Sequence, residues 1–229
     1  MTDPEDNESV SAASTGNRTA AAWCALFVVV VALTLLSDRP PSPVPASAPS
    51  QEFSAQRALA PLPEFATEPR PLGSAASDRA RDYLAGALRS AEFLVQIDRA
   101  VGASSAEGVA AFGRVDNIVA TLPGRDPTGS VVLAAHYDSV AAGPGASDDG
   151  AAIAAMLETV RALHSDDQLR NDLVLLITDG EEAGLLGAAA FARQHPRARE
   201  RAVVSGSRCC PSWNCSSHRG NRPLADAEF

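Results

Sequence analysis

Apolar and polar positions divide the chain into zones. Residues 1–18, MTDPEDNESVSAASTGNR, are polar, acidic and without apolar periodicity, and a disordered arm is expected there. From Thr19 to Ser37 the run TAAAWCALFVVVVALTLLS carries no charge. At about 1.5 Å rise per residue it crosses a hydrocarbon core of roughly 30 Å, near the short end of the usual range. It is apolar all the way round, so a membrane-spanning helix over 19–37 is predicted rather than a surface helix. A cleaved signal peptide fits less well, because the small triplet Ala46-Ser47-Ala48 lies far past the run and the preceding arm is acidic. Arg18 and Arg39 stand on opposite sides of the run, so flanking charge gives no orientation. DRPPSPVPASAPS then places five prolines in thirteen residues, and a semi-rigid linker is expected over 38–51.

From about Glu52 the pattern becomes globular. SDRARDYLAGALRS sets Ala80, Tyr83, Leu84, Ala87 and Leu88 at helical spacing, with Ser77 or Asp78 as the expected cap. EFLVQIDRAVG alternates like a strand, VDNIVATLPG reads as a second strand stopped by Pro-Gly, and GSVVLAAHYDS as a third, more fully buried one. GAAIAAMLETVRALHS puts Ile153, Met156, Leu157, Val160 and Leu163 on one helical face, with Ser147 or Asp148 near its start. NDLVLLITDG is a fourth strand, and LLGAAAFARQHP a helix ended by Pro196. Strands interleaved with helices, several apolar on both faces, predict an α/β fold: a three-layer sheet with helices on both sides.

Net charge narrows the function. Nineteen Lys and Arg against 28 acids give −9, which argues against a nucleic-acid partner. Cys24 lies in the apolar run and the other three cysteines crowd into 209–215, so no disulfide framework is implied for the domain.

Three acidic motifs fall at strand ends or helix starts, where open α/β sheets build their sites. His136 and Asp138 follow VVLAA in AHYDS, GPGASDDG delivers Asp148 and Asp149 to a helix start, and TDGEEAG places Glu181 and Glu182 after DLVLLI. Each alone has a plain explanation: a hydrogen-bonded His–Asp pair, helix capping, or a solvated acidic loop. Together they provide an imidazole and several carboxylates from three loops, a donor set suited to zinc. A Glu-Glu pair also permits one glutamate to bind metal while the other takes a proton from the attacking water.

AHYDS, GASDDG and TDGEEAGLLG together resemble the signature segments of the two-zinc aminopeptidases, the group that includes aminopeptidase Y and the vacuolar membrane proteases. The resemblance covers about Glu52 to Val204 and implies a zinc-exopeptidase fold, two Zn2+ ions and a peptide substrate. By resemblance, His136 is a ligand of one zinc, Asp148 bridges both, and Glu182 binds the other. Glu181 is the general base and Asp138 orients His136. It implies a membrane-linked enzyme with its domain extracytoplasmic. Arg70 and Ser74, in EPRPLGS, also match the membrane-linked members but receive no chemical role.

The resemblance stops near Val204. The family carries a further acidic ligand on the next strand and a later histidine, whereas residues 205–229, SGSRCCPSWNCSSHRGNRPLADAEF, show neither strand periodicity nor an acid before Asp226. A shifted reading frame or truncation is therefore expected, leaving a partial domain at 52–204, an aberrant tail, one ligand missing per zinc and impaired turnover. Loss of the strand after Val204 is expected to expose an apolar edge on DLVLLI or its neighbour. A zinc knuckle from Cys209, Cys210, Cys215 and His218 lacks the usual Cys-x-x-Cys spacing. The alternatives are a catalytically silent ectodomain that binds partners, a glutaminyl cyclase and a carboxypeptidase.

Overall fold

The structure is a computed structural model that describes residues 6–37, 42–106, 109–164, 169–206 and 222–223. It divides into two compact units, Met1–Ser42 and Pro43–Phe229. The tail cysteines and His218 lie outside the described residues.

The first unit is built on one helix, α1 (Asp6–Ser37). Within it Arg18–Ser37 reaches a mean hydropathy of 2.4, and protein buries none of it. The helix begins well inside the expected disordered arm. No proline lies between Pro4 and Pro40, so a helix nucleated in the apolar run propagates backwards at little cost.

In the second unit the proline-rich segment is docked from Val44 onwards rather than free. Arg57 Nη1 donates to the carbonyls of Ala46 and Ala48 at 2.6 and 2.8 Å, and its Nη2 to Glu52 at 2.7 Å. Arg161 donates to the carbonyls of Ser50 and Glu52. The segment turns twice, the Ala48 and Glu52 N–H groups donating to the carbonyls of Pro45 and Pro49 at 3.1 Å. Prolines that offer no N–H leave the other carbonyls to these arginine donors. Both arginines also pair with the buried carboxylate of Glu158, at 3.0 and 2.6 Å, and the Ser54 N–H donates to it at 2.9 Å.

Two short helices, α2 (Ala55–Ala58) and α3 (Leu62–Phe65), precede α4 (Ala75–Ser90). The cap of α4 is Ser74, not Ser77 or Asp78: extended at φ −82° and ψ 155°, it accepts the Ser77 N–H on its Oγ. Ser77 lies already inside the helix and is buried.

The sheet contains β1 (Leu94–Ala106), β2 (Val109–Leu122), β3 (Ser130–His136), β4 (Asp172–Thr178), β5 (Arg201–Gly206) and β6 (Arg222–Pro223), in the order β1-β2-β4-β3-β5-β6. β3, β4 and β5 run parallel, while β2 pairs antiparallel with both β1 and β4. β4 is thus central rather than an apolar edge, and β3 is covered along Ser130–Ala134 by β5. The strand expected to be lost after Val204 begins before it, at Arg201.

Strand alternation assigns the core. Leu173, Leu175 and Ile177 of β4 face α4 and α5 (Ala151–Leu163), against Leu84, Leu88, Ile153, Met156 and Val160. Val174 and Leu176 face the other way, with Val132 and with Phe191 of α6 (Leu186–Gln194). Helices on both faces explain why DLVLLI is apolar without interruption. β1 leans on α6, whose Arg193 and Gln194 donate to the carbonyls of Ala103 and Val101 at 2.6 and 2.9 Å.

Candidate metal centre

Register places the site. His136 and Thr178 end the parallel strands β3 and β4 and are direct partners. Asp138 therefore emerges beside the turn that starts at Asp179 and carries Glu181 and Glu182. That turn is closed by Gly184 and Leu185 N–H groups donating to the Glu181 carbonyl at 2.9 and 2.8 Å.

Asp138 is fully buried and joins the two loops. Its Oδ1 accepts the Glu181 N–H at 3.0 Å and its Oδ2 the Glu182 N–H at 3.1 Å. His136 Nδ1 lies 3.4 Å from the same Oδ1 and 3.2 Å from the Asp138 carbonyl. A proton held on Nδ1 by these acceptors makes Nε2 the nitrogen that faces outward and would bind a metal on losing its own proton. Nε2 sits 3.2 Å from Asp148 Oδ1 and 3.8 Å from Glu181 Oε2. His136, Glu181 and Glu182 each offer a donor atom within 4.8 Å of the others.

The site concentrates negative charge. Burial raises the Glu181 carboxyl above its ordinary pKa; nearby His136 opposes this, while Glu182, Asp138 and Asp148 add to it. Burial also raises Glu182, with the Asp148 charge next in weight. Burial pulls His136 down, yet its hydrogen bond and charge interaction with Asp138, aided by Glu181 and Asp149, outweigh that and lift it to about 9. Carboxylates driven toward neutrality beside an imidazole driven toward a cation lack positive charge.

A divalent cation supplies that charge, and the donor set fits one. Two ligand atoms each about 2.05 Å from a tetrahedral zinc lie roughly 3.3 Å apart, close to the His136–Asp148 spacing of 3.2 Å. Imidazole with carboxylates suits zinc among the biological divalent ions. His136, Glu181 and Glu182 form the close group; Asp148 reaches it through His136 Nε2, and Asp138 lies behind it, bonded to the Glu181 and Glu182 N–H groups.

Several supporting groups carry no sequence assignment. Asn117 of β2 is fully buried, accepting the Asp179 N–H at 3.0 Å and donating to the Gly187 carbonyl at 2.9 Å. It ties the start of the Glu-Glu turn to its end. Its sequence signal is an amide inside an otherwise apolar strand. Asp149 accepts the His136 backbone N–H at 3.4 Å. Asp179 accepts the Asp116 N–H at 3.1 Å, and burial lifts its carboxyl to about 6. Gly145 introduces the Asp148 turn at φ +59°, where a Cβ would lie 2.6 Å from both the Asp148 carbonyl oxygen and Ser139 Cβ. Only glycine fits there.

Residues 117–205 match peptidase family M28. A vacuolar membrane protease of Candida albicans is 32% identical over 136 residues, covering 59% of this chain and 16% of that protein. The chain thus spans about a sixth of the length of that relative. Among solved structures, glutaminyl cyclase of Porphyromonas gingivalis superposes with a TM-score of 0.55 at 27% identity, covering 67% of this chain and 58% of the other. A Zn-dependent exopeptidase of Parabacteroides distasonis gives 0.54 at 23% identity, over 69% and 61%, and shares the fold. The three motifs that converge at the ends of β3 and β4 all lie within residues 117–205, the segment that matches peptidase family M28.

Proposed function

We propose that the site holds two zinc ions and serves a membrane-anchored aminopeptidase reaction, the hydrolysis of the first peptide bond of a peptide. The observation that carries this reading is His136 Nε2 facing Asp148 Oδ1 at 3.2 Å and Glu181 Oε2 at 3.8 Å. His136 and Asp148 would hold one metal, and Asp148 and Glu182 the other. Bound zinc polarises the scissile carbonyl and acidifies water. Glu181, part-exposed and with its pKa raised, takes the proton of the attacking water and passes it to the leaving amine. Asp138 fixes the His136 ring and both glutamate N–H groups, so three functional side chains share one anchor.

Among the described residues, His136, Asp148 and Glu182 give each metal two protein ligands, against three for a typical catalytic zinc. With these ligands alone, weak zinc affinity and slight turnover are expected. The test is chelator-competition zinc binding together with hydrolysis of aminoacyl-4-nitroanilides as zinc is raised. Binding should disappear in His136→Ala and Asp148→Ala. Glu181→Gln should leave binding nearly intact and lower any turnover by about 100-fold or more. Zinc binding that survives His136→Ala, or hydrolysis that survives Glu181→Gln, would sink the reading. Likeness to the P. gingivalis glutaminyl cyclase supports a second reading, cyclisation of an amino-terminal glutamine, detected as ammonia release from Gln-peptides. For the intact protein we place the domain on the extracytoplasmic side of a single-pass anchor.

A further inference from the structure

Arg70 is the largest fully buried side chain, and its guanidinium meets no carboxylate within ion-pair distance among the described residues. Its bonds go to main-chain carbonyls. Nε donates to Tyr137 at 2.7 Å, Nη1 to Pro144, and Nη2 to Gly145 at 3.3 Å. Its backbone is tied too: the Arg70 N–H donates to Ser139 Oγ at 2.8 Å, and the Arg70 carbonyl accepts the Ser139 N–H at 3.0 Å. The Phe65 ring stacks near the guanidinium at 5.7 Å.

These partners belong to two different arms of the metal centre. Tyr137 lies between His136 and Asp138 at the end of β3. Pro144 and Gly145 begin the turn that delivers Asp148. A planar fork with five donors can span both arms at fixed geometry, whereas an ammonium cannot. Burial pulls the Arg70 pKa down, and the charge of Asp138 opposes that.

We propose that Arg70 is a positioning residue of the metal centre, setting the spacing between His136 and Asp148 by bracketing Tyr137 with Pro144 and Gly145. This rests on the two-zinc reading for its consequence, but the bracket itself can be examined without metal. Outer partners of metal ligands typically change affinity by about 10- to 100-fold when removed. In the full-length chain, Arg70→Met should therefore lower zinc affinity by about that factor and alter the visible spectrum of bound cobalt. Arg70→Lys, which keeps the charge and loses the fork, should fall between. Without metal, hydrogen exchange over 139–149 should quicken in Arg70→Met while the β4 core, 173–177, exchanges as before.

Zinc affinity and cobalt spectra unchanged in both variants would overturn the proposal. If the unaltered chain binds no zinc, the two-zinc reading fails by itself. Metal-free exchange then decides the bracket: faster exchange over 139–149 supports it, and unchanged exchange overturns it. Should Arg70→Met unfold, Arg70→Lys gives the same comparison in a folded protein.

Discussion

At the scale of single residues, the site depends on buried polar groups that each bridge two segments. Asn117 shows the energetics. Replacing it by alanine removes the acceptor of the buried Asp179 N–H and the side-chain donor to the Gly187 carbonyl, which lies in the first turn of α6. A buried unsatisfied group costs about 1–3 kcal/mol, so Asn117→Ala is expected to lose about 1–3 kcal/mol in denaturant unfolding. Loss below about 0.5 kcal/mol, the scale of ordinary surface changes, would mean the turn closes without the amide. The proximity of His136, Asp138, Glu181 and Glu182 could be expected because they end or follow apolar strands at short spacing, and that of Asp148 because a glycine-rich turn delivers it to a helix start. The place of Arg70 could not, since its partners are carbonyls 67 to 75 positions away and any residue can present a carbonyl.

At the scale of elements, docking of Val44–Ala58 onto α5 centres on Glu158. The Arg161 hydrogen bond does most to lower its pKa; burial opposes, Ser54 and Arg57 add, and the result falls from 4.5 to about 2. A carboxyl depressed on folding adds stability above its unfolded pKa and loses it as pH falls through the folded one. Stability should therefore decline between about pH 4.5 and 2, and Glu158→Gln should be less stable at neutral pH with a flatter acid limb. Thermal unfolding across that range measures both, and a mutant curve parallel to the original would exclude the role. Helices α4, α5 and α6 were readable from apolar period. The length of the β1–β2 hairpin was not: its outer half, VGASSA against VAAFGR, lacks apolar alternation and is ordered by pairing between the strands, which reaches Ala106 with Val109. The Ser74 cap was missed because a second serine stands three residues later at an equally plausible start.

At the scale of the molecule, α1 presents Trp23, Phe27 and Leu35, each about 70% exposed among the described residues. Lipid is the medium that covers them at lowest cost. The full chain should stay in the membrane pellet through a high-pH carbonate wash, and residues 43–229 alone should not. Recovery of the intact chain in the supernatant would remove the anchor. The three-layer architecture was legible because β4, covered on both faces, admits no polar residue between Leu173 and Ile177. The mixed strand directions were not, because alternation fixes which side chains share a face but says nothing of which way a neighbour runs.

The outer strand of that sheet has a bearing on crowded conditions. An unpaired strand margin is a template on which another chain can add and from which fibrils grow. Two outward carbonyls of β1, those of Val101 and Ala103, are already engaged by Gln194 and Arg193 of α6. A foreign strand arriving there must first displace a guanidinium and an amide from the acceptors it needs. The helix that closes one layer of the core thus also acts as a guard against polymerisation along that margin.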